Sequence, residues 1–313
     1  MAQFVARRIA FLIPTVLGVA FLVFLLLHLV PGDPVRVMAG ADVSERAVQE
    51  LRTKLGLNRP LLVQFGYYLL GLLHGDMGTS LRFDDTVTSL VLARFPATLE
   101  LAAVSLALSL AAGIPLGVVA AFRVRSVWDA ACTTVSLLGA AVPVFWLGIL
   151  LAYLFGVVLK WLPITGRGGP LWTAAGWAHI VLPAVSLAVT QLAFTTRLVR
   201  DRMVEVLGMD YVRSARAKGL SEARVIYHHS LKNAMILIVA NTGLQLGYLL
   251  GGSVLTETVF VWPGMGRLAV QAISGRDFPV VQGVTLAFAA SFVLINMVVD
   301  MCYMWLDPRL RYA

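Results

Sequence analysis

Asn241, Gln245, Tyr248 and Gly252 recur at i, i+4, i+7 and i+11 within an apolar run, a spacing that places them in one stripe down a helix. Uncharged donors and acceptors arranged this way can solvate the amides of a passing solute without selecting its side chains. The same residue types inside a membrane also join helices by hydrogen bonds, so Asn241, Gln245 and Tyr248 have two readings, pathway lining and helix glue. Asn296 and Asp300 form a second, shorter stripe. A different chemistry, that of a docking helix, lies in the basic segment Asp201 to Lys232. Asp210 suits the N-cap of a short helix, Arg216 and Lys218 its final turn, and Gly219 a left-handed C-terminal cap. Ser221 then restarts a helix through Glu222, Ala223 and Arg224. Between the caps, Ser214, Ala215 and Ala217 are small enough to let another protein's surface approach the backbone. On composition alone the segment also reads as a solvated loop.

Covalent and metal chemistry find no matching constellation. A Walker A loop needs Lys followed by Ser or Thr, because the amine reaches the terminal phosphates while the hydroxyl binds magnesium. The four lysines are followed by Leu55, Trp161, Gly219 and Asn233. His228 and His229 do not form H-E-x-x-H, no Cys/His cluster has zinc spacing, and a Gly-x-Ser-x-Gly elbow is absent. Cys132 and Cys302 make no disulfide framework and both fall in apolar runs. The sequence therefore predicts no catalytic residue, cofactor site or metal site in this chain.

The elements that must position these residues follow from composition. Of 313 residues, 59% are hydrophobic and only 13% charged, against roughly 25% charged in soluble domains. Six segments can cross a hydrocarbon core: about Ile9 to Val30, Ala97 to Phe122, Ala130 to Leu159, Ala178 to Thr196, Asn233 to Thr256 and Val280 to Leu306. None contains Lys or Arg, and Glu100 and Asp300 are their only acids. An all-α polytopic membrane protein is predicted, in the lipid bilayer. The first run is too long for a signal-peptide core and ends in Val30-Pro31-Gly32-Asp33 without a small-residue cleavage site.

Basic residues set the orientation. With the amino terminus cytoplasmic, the inside regions hold fourteen Lys and Arg, eight of them from Arg197 to Lys232. The short outside loops hold only Lys160, Arg167, Arg267 and Arg276. Both termini are then cytoplasmic, and the net charge of +8 reports topology rather than nucleic-acid binding. The long first loop has helical patterning: Ser44 suits an N-cap, Val48, Leu51 and Leu55 recur at helical spacing, Gly56 can close that helix, and Pro60 starts an apolar stretch to about His74. A small helical extracytoplasmic segment is expected there. The expected divisions are 1–95 for the first helix and this loop, 96–306 for a five-helix transmembrane domain with a cytoplasmic loop at about 201–232, and 307–313 for a cytoplasmic tail.

The stretch Tyr211-Val212-Arg213-Ser214-Ala215-Arg216-Ala217-Lys218-Gly219-Leu220 resembles the cytoplasmic EAA loop of permease subunits of bacterial binding-protein-dependent ABC importers. The family form is E-A-A-x-x-x-G followed nine residues later by I-x-L-P. Ala215, Gly219 and Leu231 match it, while Arg213, Ser214, His229 and Lys232 stand at its Glu, first Ala, Ile and Pro positions. Other segments resemble the dipeptide and oligopeptide permease branch. These are Arg7-Arg8 with His28-Leu29-Val30-Pro31-Gly32-Asp33-Pro34, then Leu55-Gly56-Leu57-Asn58-Arg59-Pro60 and Gly75-Asp76-Met77-Gly78-Thr79-Ser80. Glu257, Phe260, Pro263-Gly264-Met265-Gly266, Arg276-Asp277-Phe278-Pro279 and Asp307-Pro308-Arg309-Leu310-Arg311 complete the resemblance in chain order.

That resemblance implies a type I ABC importer permease that pairs with a second homologous permease. Two separate ATPase subunits would hold ATP and magnesium, and an extracytoplasmic solute-binding protein would deliver cargo such as peptides, glutathione, nickel chelates or haem. It assigns ATPase coupling to Asp210, Tyr211, Ser214, Ala215, Arg216, Ala217, Lys218, Gly219 and Leu220. It assigns an outer gate or binding-protein contact to Glu257, Pro263, Gly264 and Gly266. An ion-coupled secondary transporter is the alternative; such carriers use ionisable residues near the membrane midplane, where this chain offers none. A pure scaffold subunit would leave the patterned helix after Asp210 unexplained.

Overall fold

A computed structural model describes residues 13–25, 44–54 and 58–306. Arg7, Arg8, His28 to Pro34, Leu55 to Leu57 and Asp307 to Arg311 lie outside the described residues, as do the side chains of Val48, Leu51, Asp300 and Cys302. Among the described residues all regular structure is helical, apart from one isolated bridge between Thr79 and Thr86. The chain divides into two compact units, 1–97 with 263–293 and 98–262 with 294–313.

In the first unit, helix α1 (Ile13–Leu25) is followed by α2 (Glu45–Lys54), which begins directly after Ser44, and α3 (Leu61–Leu73). Pro60 stands at the N-cap of α3 with φ −56°, a value the ring enforces, and His74 ends it. Phe65 of α3 packs on Phe21 and Phe24 of α1 with ring centroids 5.2 and 5.4 Å apart. Val87, Leu90 and Val91 open the long helix α4 (Val87–Phe122) and form a buried cluster with Met265, Leu268, Ala272, Val280 and Val284. Asp277 is buried because it accepts from the Ser80 hydroxyl at 2.5 Å and the Leu81 N–H at 3.2 Å, which closes the 80–86 turn onto the last helix.

In the second unit, α5 (Val127–Ala141) starts at Ser126, whose hydroxyl accepts from the Asp129 N–H. It stops at Val142, because Pro143 has no N–H to continue the ladder and holds an extended backbone, φ −60° and ψ 129°. Helix α6 (Val144–Leu151) follows and widens into a π turn, Ala152–Val158. The two arms are bent by 96°. The expected single span from Ala130 to Leu159 is thus a broken one, and Pro143 is the signal that marks the break.

Helix α7 (Ala174–Leu207) is capped by Thr173, which accepts from the Gly176 N–H at 3.0 Å. Helix α4 lies against it through Gly113-x-x-x-Gly117: a Cβ at Gly113 would come within 2.9 Å of Thr195, and one at Gly117 within 2.6 Å of Val199. Small residues at this spacing let two membrane helices approach backbone to backbone. Then follow α8 (Asp210–Ala217), α9 (Glu222–Arg224), a second π turn (Val225–Leu231), α10 (Lys232–Gly252) and α11 (Val254–Val259). The chain closes with α12 (Met265–Gly275) and α13 (Phe278–Leu306).

Among the described residues three helices are long and apolar enough to cross a membrane, Val87–Phe122, Ala174–Leu207 and Phe278–Val299. They become five if each bent pair counts as one span, the second pair being Glu222–Met235 with Ile238–Gly252 at 52°. The expected first span, Ile9 to Val30, is described only over Ile13–Leu25.

Candidate functional site

Helix α8 is held between the two long helices that flank it in sequence. Its inner face is apolar: Val212 and Ala215 are buried with Val206 and Val225, and Leu207 and Leu220 pack against them. Its ends are tied by polar contacts. The Arg216 guanidinium donates to both Glu222 oxygens at 2.9 and 3.3 Å, bridging the turn at Gly219. The Asn233 side-chain amide donates to the Tyr211 hydroxyl at 2.9 Å and to the His229 carbonyl at 2.7 Å. Gly219 has φ +76°, the left-handed conformation its position requires, and its N–H returns to the Arg216 carbonyl at 2.9 Å.

Three expectations about this segment change. Met209, with φ −75° and ψ 149°, is the N-cap, and Asp210 is the first helical residue, where its carboxylate faces the positive end of the helix and pairs loosely with Arg213 at 3.6 Å. Ala215 faces inward, so the outer surface available to another protein is formed by Asp210, Tyr211, Arg213, Ser214, Arg216, Ala217 and Lys218. The segment is also shorter than a loop from Asp201, since α7 continues to Leu207. Val212 is the anchor that reading for small residues passed over.

Near the amino end of α5 lies a pair no motif announced. Arg200 donates through Nε to Asp129 Oδ1 at 2.6 Å and through Nη2 to Oδ2 at 2.9 Å. Oδ2 also accepts from the Arg125 N–H at 2.9 Å. Bidentate geometry with an added backbone donor is the strong form of such a pair, and it fixes α7 against α5 seven residues before α7 ends.

The α10 stripe divides. Gln245 is buried and exchanges hydrogen bonds with Thr195 of α7, Nε2 to Oγ1 at 3.2 Å and Oγ1 to Oε1 at 3.4 Å. Tyr248 is 68% exposed, and Asn241 is half-buried. Gln245 hydrogen-bonds α10 to α7 within this chain, and Tyr248 is the exposed member of the stripe. Gln245→Leu is expected to lower the thermal stability of the complex by about 0.5–1.5 kcal/mol while leaving uptake per folded complex unchanged. Calorimetry or a thermal-shift scan, run beside transport on the same preparation, checks both; lost uptake at full stability would return Gln245 to the pathway.

Glu257 is fully buried and accepts from Thr98 at 2.8 Å and Ser253 at 3.0 Å. Gly264 and Gly266 are also buried, and Pro263 is exposed. Of these four only Pro263 is exposed, and the Glu257 carboxylate is held by two hydroxyls inside the helices. Glu100 pairs with Arg167 at 2.6 Å, joining α4 to the connection before α7.

Helices that satisfy their own backbone groups and carry outward-facing apolar surface fit a multi-pass membrane protein. Residues 113–312 match the family described as binding-protein-dependent transport system inner membrane component, and residues 1–102 match the N-terminal region of the same membrane components. The chain belongs to this family, as a membrane-spanning permease subunit of the inner membrane. It is 40% identical to the dipeptide transport system permease protein DppB of Escherichia coli (strain K12), over 100% of this chain and 99% of that one. It is 43% identical to the glutathione transport system permease protein GsiC of Salmonella choleraesuis, and 42% identical to a putative peptide transport system permease protein of Brucella abortus, over 100% of both chains in each case. Among solved structures, an inward-facing conformation of the MetNI methionine ABC transporter aligns with a TM-score of 0.58 at 20% identity, covering 70% of this chain and 96% of that chain. An amino acid ABC transporter aligns with a TM-score of 0.51 at 15% identity, covering 71% and 94%. The fold is that of an ABC importer permease.

Proposed function

We propose that this chain forms half of the translocation pathway of an ATP-driven importer for peptides or glutathione-like solutes. The clamp on α8 carries the reading. A helix tied to α7 through Val206 and to α10 through Asn233 can pass a displacement at its outer face to both long helices. Only a contact that differs between two states lets one site bias another.

In this proposal two ATPase subunits dock on Tyr211, Ser214, Ala217, Lys218 and the Gly219 turn and hold ATP and magnesium. This chain hydrolyses none itself. A second homologous permease completes the pathway, with Tyr248 and Asn241 facing cargo, and a solute-binding protein delivers that cargo at the outer side near Pro263. Both termini are cytoplasmic, six helices span the bilayer, and 96–306 is the transmembrane domain with its coupling loop, preceded by 1–95 and followed by the tail. The relatives named for dipeptide, glutathione and peptide transport support the cargo class.

Uptake of a labelled dipeptide into proteoliposomes separates this from an ion-coupled carrier. Uptake is expected only with the ATPase subunits, the second permease, the binding protein and ATP all present. Accumulation driven by a proton or sodium gradient with this chain alone would sink the proposal, as would steady ATP hydrolysis by the isolated chain.

A further inference from the structure

The helix α3 (Leu61–Leu73) contains no buried residue, although it packs on α1 through Phe65 and Tyr68. At about 100° per residue, Leu62, Leu73, Gly66, Leu70, Val63 and Tyr67 fall within an arc of about 140° on the side away from that contact. Leu62 and Leu73 are 78% and 82% exposed. A helix resting on a protein with water on its far side carries polar residues there, and the only polar atom this arc carries is the Tyr67 hydroxyl, at its edge. Its thirteen residues make about 20 Å of helix, too short to cross a hydrocarbon core of about 30 Å.

We infer that α3 lies within one leaflet of the bilayer, its outward face covered by acyl chains. Four observations select lipid as the occupant. Phe21 and Phe24, on which α3 packs, stand in the second half of the apolar run Ile9 to Val30, so α3 sits beside membrane-embedded helix. Exposed α1 residues Ile13, Leu17 and Leu22 give that surface the same apolar character. Polar exposed residues bound both ends, Asn58 and Arg59 before the helix and His74 and Asp76 after it. The Arg59 guanidinium rests 4.6 Å from the centre of the Tyr67 ring, an aromatic and basic pairing of the kind found at membrane–water boundaries. The leaflet is the outer one on the proposed topology, and the inference itself does not depend on that choice.

The test uses the full chain in liposomes, with Cys132 and Cys302 replaced by alanine and one nitroxide placed through Leu62→Cys, Leu70→Cys, Leu73→Cys or, for comparison, Asp76→Cys. Relaxation by oxygen reports hydrocarbon and relaxation by a water-soluble nickel chelate reports water. Labels at 62, 70 and 73 are expected to show a several-fold excess of oxygen over nickel collisions, with the reverse at 76. Nickel access at the first three positions equal to that at 76 would overturn the inference. So would low access to both reagents there, which would mean that protein covers the face. Adding nickel chelate to the vesicle exterior alone, with sidedness fixed by protease digestion, tests the leaflet separately through Asp76→Cys.

Discussion

Gly219→Val is expected to impair coupled transport by weakening ATPase docking while leaving the spans inserted. The residue sits at φ +76° with no atom within 4 Å of the place a Cβ would occupy, so the penalty is conformational rather than a clash. A β-branched side chain in that region is strained by about 1–3 kcal/mol. The turn relieves the strain by shifting φ, which moves α8 relative to Glu222 and loosens the Arg216 bridge across it. If the full penalty falls on docking, association with the ATPase subunits weakens by about 5- to 150-fold. Asn tolerates left-handed backbone, so Gly219→Asn should retain most of the docking. Co-purification of ATPase subunits and uptake per complex are the measurements; a Val variant that docks and transports normally would remove Gly219 from the coupling element.

Asp129→Ala carries the largest expected loss of stability. Cutting one partner from a buried ion pair costs about 3–5 kcal/mol. Here the Arg200 side chain is 27% exposed and keeps a contact with Asp201 at 3.1 Å, so water and that neighbour reduce the loss to about 1–3 kcal/mol. The Arg125 N–H also loses its acceptor. Replacing both members, Asp129→Ala with Arg200→Leu, should recover part of the loss because no guanidinium is then left without its main partner. Thermal unfolding of the four proteins of this cycle in one detergent gives the coupling energy. Additive effects of the two single changes would show that the pair contributes nothing.

What could be read from residues alone was the part governed by local rules. Apolar runs predicted the long helices because a bilayer core admits little else, and Gly219 predicted its own φ because few residues tolerate that backbone. The Asp129–Arg200 pair was not legible: its members are 71 positions apart, and each taken alone reads as an ordinary charge at the end of a span. The burial of Glu257 was not legible either, because sequence does not display Thr98 and Ser253 coming to meet it. For Gln245, composition permitted two uses, and the partner that serves the helix-joining one, Thr195, lies 50 positions away and is not legible in the sequence. Ala215 shows the same limit on a smaller scale, since the inward face of an eight-residue helix is set by what it rests on.

The π turn Val225–Leu231, seven residues long, is wound more widely than the α-helix it leads into. Returning it to α geometry by one step of hydrogen-bond register would turn the helix beyond it by about 100° and shift it along its axis by about 1.5 Å. That turn would act first on the arm up to Met235, before the 52° bend that leads into Ile238–Gly252. Asn233 lies at the start of α10, hydrogen-bonded to Tyr211, so the rotation cannot proceed until that bond is released. Helix α8 is therefore expected, through the Tyr211 bond to Asn233, to hold the register of the π turn in place.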